Sequence, residues 1–252
     1  MPPHPPGVTI VEPNHAQLSM NLGRLFSDAA RVAELRGQGD PALLLPAEAV
    51  FLGRSVPRRA QEFAAGRVCA RRALAEFGIE DFPIERGADR QPIWPVGMVG
   101  SITHTLGFCA AVVAARDTTA AIGLDTEGVG GTPPGGGSLG VKPHLWPSIC
   151  VESEIRWISA LPEPQRVPAA TLIFSAKEAF YKCQYPLAQE HLGFHDAYIE
   201  LRGWNGQSGS FTVAATRSIA FAAHAALPMT GRYLFHEEFV TAGLCVAFNG
   251  NG

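Results

Sequence analysis

Gly123-Leu124-Asp125-Thr126-Glu127 and Phe174-Ser175-Ala176-Lys177-Glu178-Ala179-Phe180-Tyr181-Lys182 are the two stretches around which the chain is organised. The first has the composition of the end of a buried strand. Asp125 and Glu127 are two positions apart, so on a strand both carboxylates point to one face. The second stretch reads as a helix, and Glu178 and Lys182, four positions apart, share one of its faces. Three acids and a lysine brought together make a site for a hard cation and a phosphate chain. The pattern points to magnesium-dependent transfer of a phosphoryl-bearing group.

Upstream, residues 58–77 carry the clearest helical pattern. Ser55 is the expected N-cap, Pro57 suits the first turn and Gly78 suits the position past the end. Phe63, Ala70, Leu74 and Phe77 form one stripe, with Arg59 on it and Arg67 at its edge. Arg58, Arg71 and Arg72 lie further round and read as a solvated face. An arginine beside an apolar stripe needs a partner, and a bound phosphate is one. Arg86 and Arg90 fall on a Gly/Pro turn over 83–92. A strand over 100–105 follows, with Ser101, Thr103 and Thr105 on one parity and Ile102 and His104 on the other. A histidine in that position is ordinarily a satisfied core residue. Residues 108–115, 117–119 and 120–125 read as strand, turn, strand.

Residues 128–140 contain seven glycines and two prolines. They match neither phosphate-loop pattern and read as a flexible connection, the best candidate for a boundary. Beyond it come a short helix over 153–161, a second strong helix over 169–183, and strand-like runs at 196–202, 210–216, 218–225, 231–235 and 239–248. Residues 20–36 are compatible with helix or mixed structure. His191 and His195 have helical metal-ligand spacing, but no acid completes the motif.

At 252 residues, with 46% hydrophobic content and a formal charge of -3, the chain is long enough for two modest domains. Its charge disfavours bulk nucleic-acid or membrane-surface binding. The five cysteines (69, 109, 150, 183, 245) include no CxxC pair and suit a reducing, cytoplasmic compartment. The Pro-rich start lacks the regions of a signal peptide, and no apolar run reaches membrane-span length. Residues 1–16 are expected to be a flexible segment.

Three blocks, taken together, resemble the 4'-phosphopantetheinyl transferases of the longer single-chain type (Sfp-type, in the style of the EntD-like branch). They are Gly66-Arg67-Val68-Cys69-Ala70-Arg71 with Arg59 upstream; Arg90 to Pro95 running into Gly100-Ser101-Ile102-Thr103-His104; and Ile122 to Glu127 with Phe174 to Lys182. They span about residues 55–185, and Phe174 stands where tryptophan is common. The resemblance implies an α+β, sandwich-like fold of two pseudo-symmetric subdomains with the active site in the cleft between them. The halves would be 17–124, binding the coenzyme A 3'-phosphate, and 125–252, binding metal and contacting the carrier protein.

It also implies an activity: moving phosphopantetheine from coenzyme A to a serine of an apo acyl or peptidyl carrier protein. Coenzyme A is then the substrate and Mg²⁺ the metal, with Mn²⁺ as a substitute. Asp125, Glu127 and Glu178 are the expected metal ligands, Glu127 in part through water. Glu178, Lys182 and Asp125 are the expected catalytic groups. Glu178 or a water it holds would take the serine proton, and Lys182 would face the departing phosphate. Arg59, Arg67, Arg86, Arg90, Ser101, His104, Asp125, Lys177 and Lys182 would bind coenzyme A. The expected state is a cytoplasmic monomer that binds neither nucleic acid nor membrane. The competing reading is a non-catalytic module that holds coenzyme A or a carrier protein. As a bare helix-face pair, Glu178 and Lys182 would be worth only about 0.2–0.5 kcal/mol.

Overall fold

A computed structural model describes residues 22–130 and 139–248. Residues 1–16, and 131–138 of the Gly/Pro-rich stretch, lie outside them. The fold is α+β, with two antiparallel sheets, each backed by a long helix. The first sheet has the order β1-β3-β2, with β1 Ala30–Arg36, β2 Met98–Thr105 and β3 Phe108–Ala115. Central β3 is buried from Phe108 to Ala114. Its alternation divides two cores. Cys109, Ala111 and Val113 pack with Ala65, Cys69, Ala73 and Leu74 of the first long helix. Phe108, Ala110, Val112 and Ala114 pack with Leu22, Leu25, Ile122 and Leu124 at the seam between the halves.

A single turn, α1 (Pro46–Ala49), precedes the long helix α2 (Pro57–Ala75). Pro57 opens α2 as the sequence predicts, but Val56, not Ser55, is its N-cap and caps without a side chain. The Ser55 hydroxyl is turned back to donate to Leu52 O. Gly78 follows the helix with φ +73°, a backbone conformation glycine adopts without a Cβ clash.

The second sheet has the order β4-β8-β7-β6-β5, with β4 Thr119–Gly128, β5 Ala197–Arg202, β6 Ser208–Ala215, β7 Met229–His236 and β8 Phe239–Ala247. The predicted boundary at 124/125 falls inside β4, and the sheets part at the turn before that strand. α3 (Trp146–Ile149) and α4 (Glu152–Ala160) lead into α5 (Glu163–Ala188). That helix is longer than the 169–183 predicted. Pro164 sits in its first turn, where no N–H is needed, and Pro168 one turn later forfeits a single bond. The predicted strand over 218–225 is a short 3-10 turn (Ala220–Ala223) instead. Its apolar run is explained by Phe221, which is buried edge-on against Phe180 of α5 with ring centroids 5.5 Å apart.

α5 crosses β4 at Gly123, where a Cβ would stand 2.0 Å from Ala179 O. Only glycine permits that approach, and it brings the strand carboxylates next to Glu178. Among the described residues no helix is long and apolar enough to cross a membrane.

Glu34 of β1 gives a measurable pH dependence. Burial pushes its carboxyl up from 4.5 to about 7, against the opposing pull of Arg36, and its Oε1 is buried without a partner. The folded state therefore holds this proton more tightly than the unfolded chain. Stability falls as pH rises through about 4.5 to 7 and levels off above. Glu34→Gln should raise Tm at pH 8 and leave it nearly unchanged at pH 4, as read by calorimetry at the two pH values.

Candidate active site

β4 and α5 bring the three acids and the lysine of the defining stretches together. Asp125 is buried and Glu127, two positions on, shares its face; Glu178 and Lys182 are half-buried on α5. Lys182 does not pair with its helix neighbour Glu178. It reaches across to β4, donating to Asp125 Oδ1 at 2.6 Å and to Leu124 O at 3.3 Å. Burial and the nearby Asp125 and Glu178 charges push Glu127 up to about 8, with Lys182 pulling the other way. Burial and Asp125 likewise raise Glu178.

Among the described residues no three His, Cys, Asp or Glu side chains converge into a ready-made metal cage. The donor set still fits a hard divalent cation. It is all oxygen, its acids repel one another, and Asp125 Oδ2 is buried with no hydrogen-bond partner. Asp125, Glu127 and Glu178 are the side chains that could hold such a cation.

Arg59, Arg67, Arg86, Arg90 and His104 line one cleft of about 240 Å³, together with Phe51, Phe63 and Ile102. Parity accounts for His104. It shares the face of Ile102, which packs against the core under α2, but at the end of the strand His104 itself is exposed to the cleft and lines it, so the core-histidine reading of the sequence is overturned. Burial holds its imidazole below the ordinary value, while Glu62 opposes that shift. Arg67 is buried; its Nε donates to Ile84 O at 3.0 Å and its guanidinium stacks 4.0 Å from the Phe63 ring centroid. Burial lowers it to about 10, and it remains a cation at neutral pH. Arg90 sits at φ +68°, an uncommon conformation for a non-glycine residue, in the loop that closes the cleft. A larger cleft of about 770 Å³ shares Glu62 and His104 with this one and runs on to Leu139.

Two predicted coenzyme A contacts are placed elsewhere. Ser101 is buried; its hydroxyl accepts from Leu124 N at 3.1 Å and donates to Leu124 O at 3.4 Å, so it splices β2 to β4. Lys177 is also buried, and its three donors are all used: Glu154 Oε2 at 2.8 Å, Ile149 O at 2.9 Å and Phe194 O at 2.9 Å. Helical spacing explains this, because Lys177 and Glu178 are adjacent and project about 100° apart. Of the two predicted metal-spaced histidines, His191 accepts or donates at Tyr181 Oη (2.9 Å) and His195 lies on a 3-10 turn, not an α-helix.

Sequence reasoning missed Thr103, Glu62 and Glu154. Thr103 Oγ1 accepts from Thr126 N at 2.9 Å and donates to Asp125 Oδ1 at 3.3 Å. Glu62 is the acid of the cationic cleft and is paired with Arg58 at 2.8 Å. Local spacing offers Glu62 only a helix-face pair with Arg58 and Glu154 only a cap at the start of α4, and nothing local marks Thr103; the roles that matter come from partners in other elements.

Comparison with known proteins follows the same division of the chain. Residues 47–114 match the 4'-phosphopantetheinyl transferase N-terminal domain, and residues 121–238 match the 4'-phosphopantetheinyl transferase superfamily. Similar proteins include 4'-phosphopantetheinyl transferase PptT of Mycobacterium tuberculosis, 37% identical over 192 residues that cover 73% of this chain and 78% of the relative. Another is 4'-phosphopantetheinyl transferase Npt of Nocardia iowensis, 32% identical over 80% of this chain and 89% of the relative. A third is enterobactin synthase component D of Salmonella typhimurium, 40% identical over 50% of this chain and 48% of the relative. With both halves matched in order and relatives aligned across most of its length, the chain belongs to the 4'-phosphopantetheinyl transferase superfamily.

Proposed function

We propose that this protein transfers the 4'-phosphopantetheine group from coenzyme A to a serine of an apo acyl or peptidyl carrier protein. The products are the holo carrier and adenosine 3',5'-bisphosphate. The observation that carries the proposal is the placement of His104. It lines the arginine cleft with Arg59 and Glu62 and is near enough to Lys182 and Asp125 to feel their charges, a juxtaposition that supports one ligand spanning the cleft and the acids. A nucleotide that carries a 3'-phosphate and a 5'-linked pyrophosphate needs both.

In this reading Arg59, Arg67, Arg86 and Arg90 grip the 3'-phosphate by charge-assisted hydrogen bonds, with His104 beside them. Bound at Asp125, Glu127 and Glu178, Mg²⁺ would supply charge stabilisation to the pyrophosphate oxygens. Glu178, or a water it holds, takes the proton from the carrier serine as its oxygen bonds to phosphorus. The bond to the adenosine-bearing phosphate breaks, and the Lys182 ammonium offsets the charge left there. The N-terminal half thus serves the 3'-phosphate, and the C-terminal half the cation and the carrier. The five free cysteines support a reducing compartment such as the cytoplasm.

The test is to incubate the protein with coenzyme A, Mg²⁺ and an apo carrier and weigh the carrier. A gain of one phosphopantetheine, abolished by EDTA, is expected. Binding of coenzyme A with no mass gain across a panel of carriers from polyketide, non-ribosomal peptide and siderophore assembly would overturn the proposal in favour of a binding module. Among the described residues, Arg59 has no hydrogen-bond partner within the chain, so its guanidinium is free for the phosphate. Arg59→Ala should weaken coenzyme A binding by about 1.5–3 kcal/mol, the worth of a charge-assisted bond, and leave dephospho-coenzyme A binding unchanged in calorimetric titration.

A further inference from the structure

We infer that Thr103 is a positioning residue that turns the Asp125 carboxylate so that Oδ2, and not Oδ1, is presented to the divalent cation. This rests on the proposal above that Asp125 holds a metal. β2 and β4 belong to different sheets and share no backbone ladder. Hydroxyls from β2 replace it, at the two positions whose side chains point at β4. Ser101 serves Leu124, and Thr103 serves Thr126.

Thr103 does one thing more. With its oxygen occupied by Thr126 N at 2.9 Å, its proton is directed to Asp125 Oδ1 at 3.3 Å. Lys182 Nζ donates to the same oxygen at 2.6 Å. Oδ1 therefore receives one donor from each half of the molecule, and Oδ2 stays buried and unpartnered. The backbone under this carboxylate is held as well, because Ser175 Oγ of α5 donates to Asp125 O at 2.9 Å. With the backbone held, the side chain keeps its two rotations, about Cα–Cβ and Cβ–Cγ, and the Thr103 hydroxyl and the Lys182 ammonium on Oδ1 restrain both. A threonine of the first half thereby orients a ligand carried by the second.

The experiment uses the full chain, with Mn²⁺ as an electron-paramagnetic probe titrated in the presence of adenosine 3',5'-bisphosphate. Thr103→Val, which keeps the shape and removes the hydroxyl, should raise the Mn²⁺ dissociation constant about 10–100-fold, the usual cost of losing a group that orients a ligand. Metal-free binding of coenzyme A should not change. Thr103→Ser should restore Mn²⁺ affinity. Ser101→Ala loses the equivalent seam hydroxyl without touching Asp125, and should retain it. The inference is overturned if Thr103→Val binds Mn²⁺ like the wild type, or if Ser101→Ala loses as much affinity, which would reveal a general loosening of the seam. Equal Mn²⁺ binding by the wild type and Asp125→Asn is a different failure. It would remove the metal assignment itself, and this inference with it.

Discussion

Glu178→Gln should cut phosphopantetheine transfer by at least about 10²–10⁴-fold, the usual contribution of a positioned base, while coenzyme A still binds. The substitution is nearly isosteric and removes only charge and basicity. It leaves intact the Lys182–Asp125 pair, whose 2.6 Å contact does not involve Glu178. It also leaves the arginine cleft untouched, since Glu178 is not part of its wall. Nor should the fold suffer, because Glu178 already holds its charge against burial and against the Asp125 charge. A neutral amide relieves both, so Tm should hold or rise. Carrier mass per unit time gives the rate, and calorimetric titration gives coenzyme A affinity. Undiminished transfer by this variant would remove Glu178 from the chemistry.

Lys177→Met has the opposite profile and should destabilise the protein by about 3–5 kcal/mol, because it strands a buried charge. Glu154 is fully buried, and its partner Lys177 is nearly so. Glu154 Oε1 accepts from Ile199 N and Oε2 from Val151 N, both at 2.7 Å, so this carboxylate ties β5 to the start of α4. Without the lysine two backbone N–H groups remain its only compensation, and its pKa is already raised by burial. Urea denaturation should show the loss, and adding Glu154→Gln should recover part of it, as expected when the cost lies in an unpaired charge. If Lys177→Met kept full stability but lost coenzyme A affinity, the ammonium would belong with the phosphates after all.

Much of this molecule was legible in the sequence, and the reasons differ by element. β3 and β4 were clear because apolar runs of strand length leave few alternatives. Pro57 marked the start of α2 because proline tolerates the first turn, whereas Ser55 misled because a serine cap needs its hydroxyl aimed at helix N–H groups, and here it turns back to Leu52. α5 was cut short because internal prolines weigh heavily in local reasoning, yet tertiary packing overrides one missing bond. The apolar run near Phe221 looked like a strand because periodicity alone cannot tell a strand from a short buried turn.

The chain's own letters determined its superfamily, the identity of the acids and lysine, and the face that each shares, because those follow from periods of two and 3.6 residues within single elements. Only the tertiary structure decided which charge meets which. It sent Lys182 to Asp125, withdrew Lys177 to Glu154, gave Ser101 to the backbone of β4 and opened His104 to the arginine cleft. Pairing of that kind depends on the approach of elements far apart in sequence, here β4 against α5 at Gly123, and local periodicity holds no record of it.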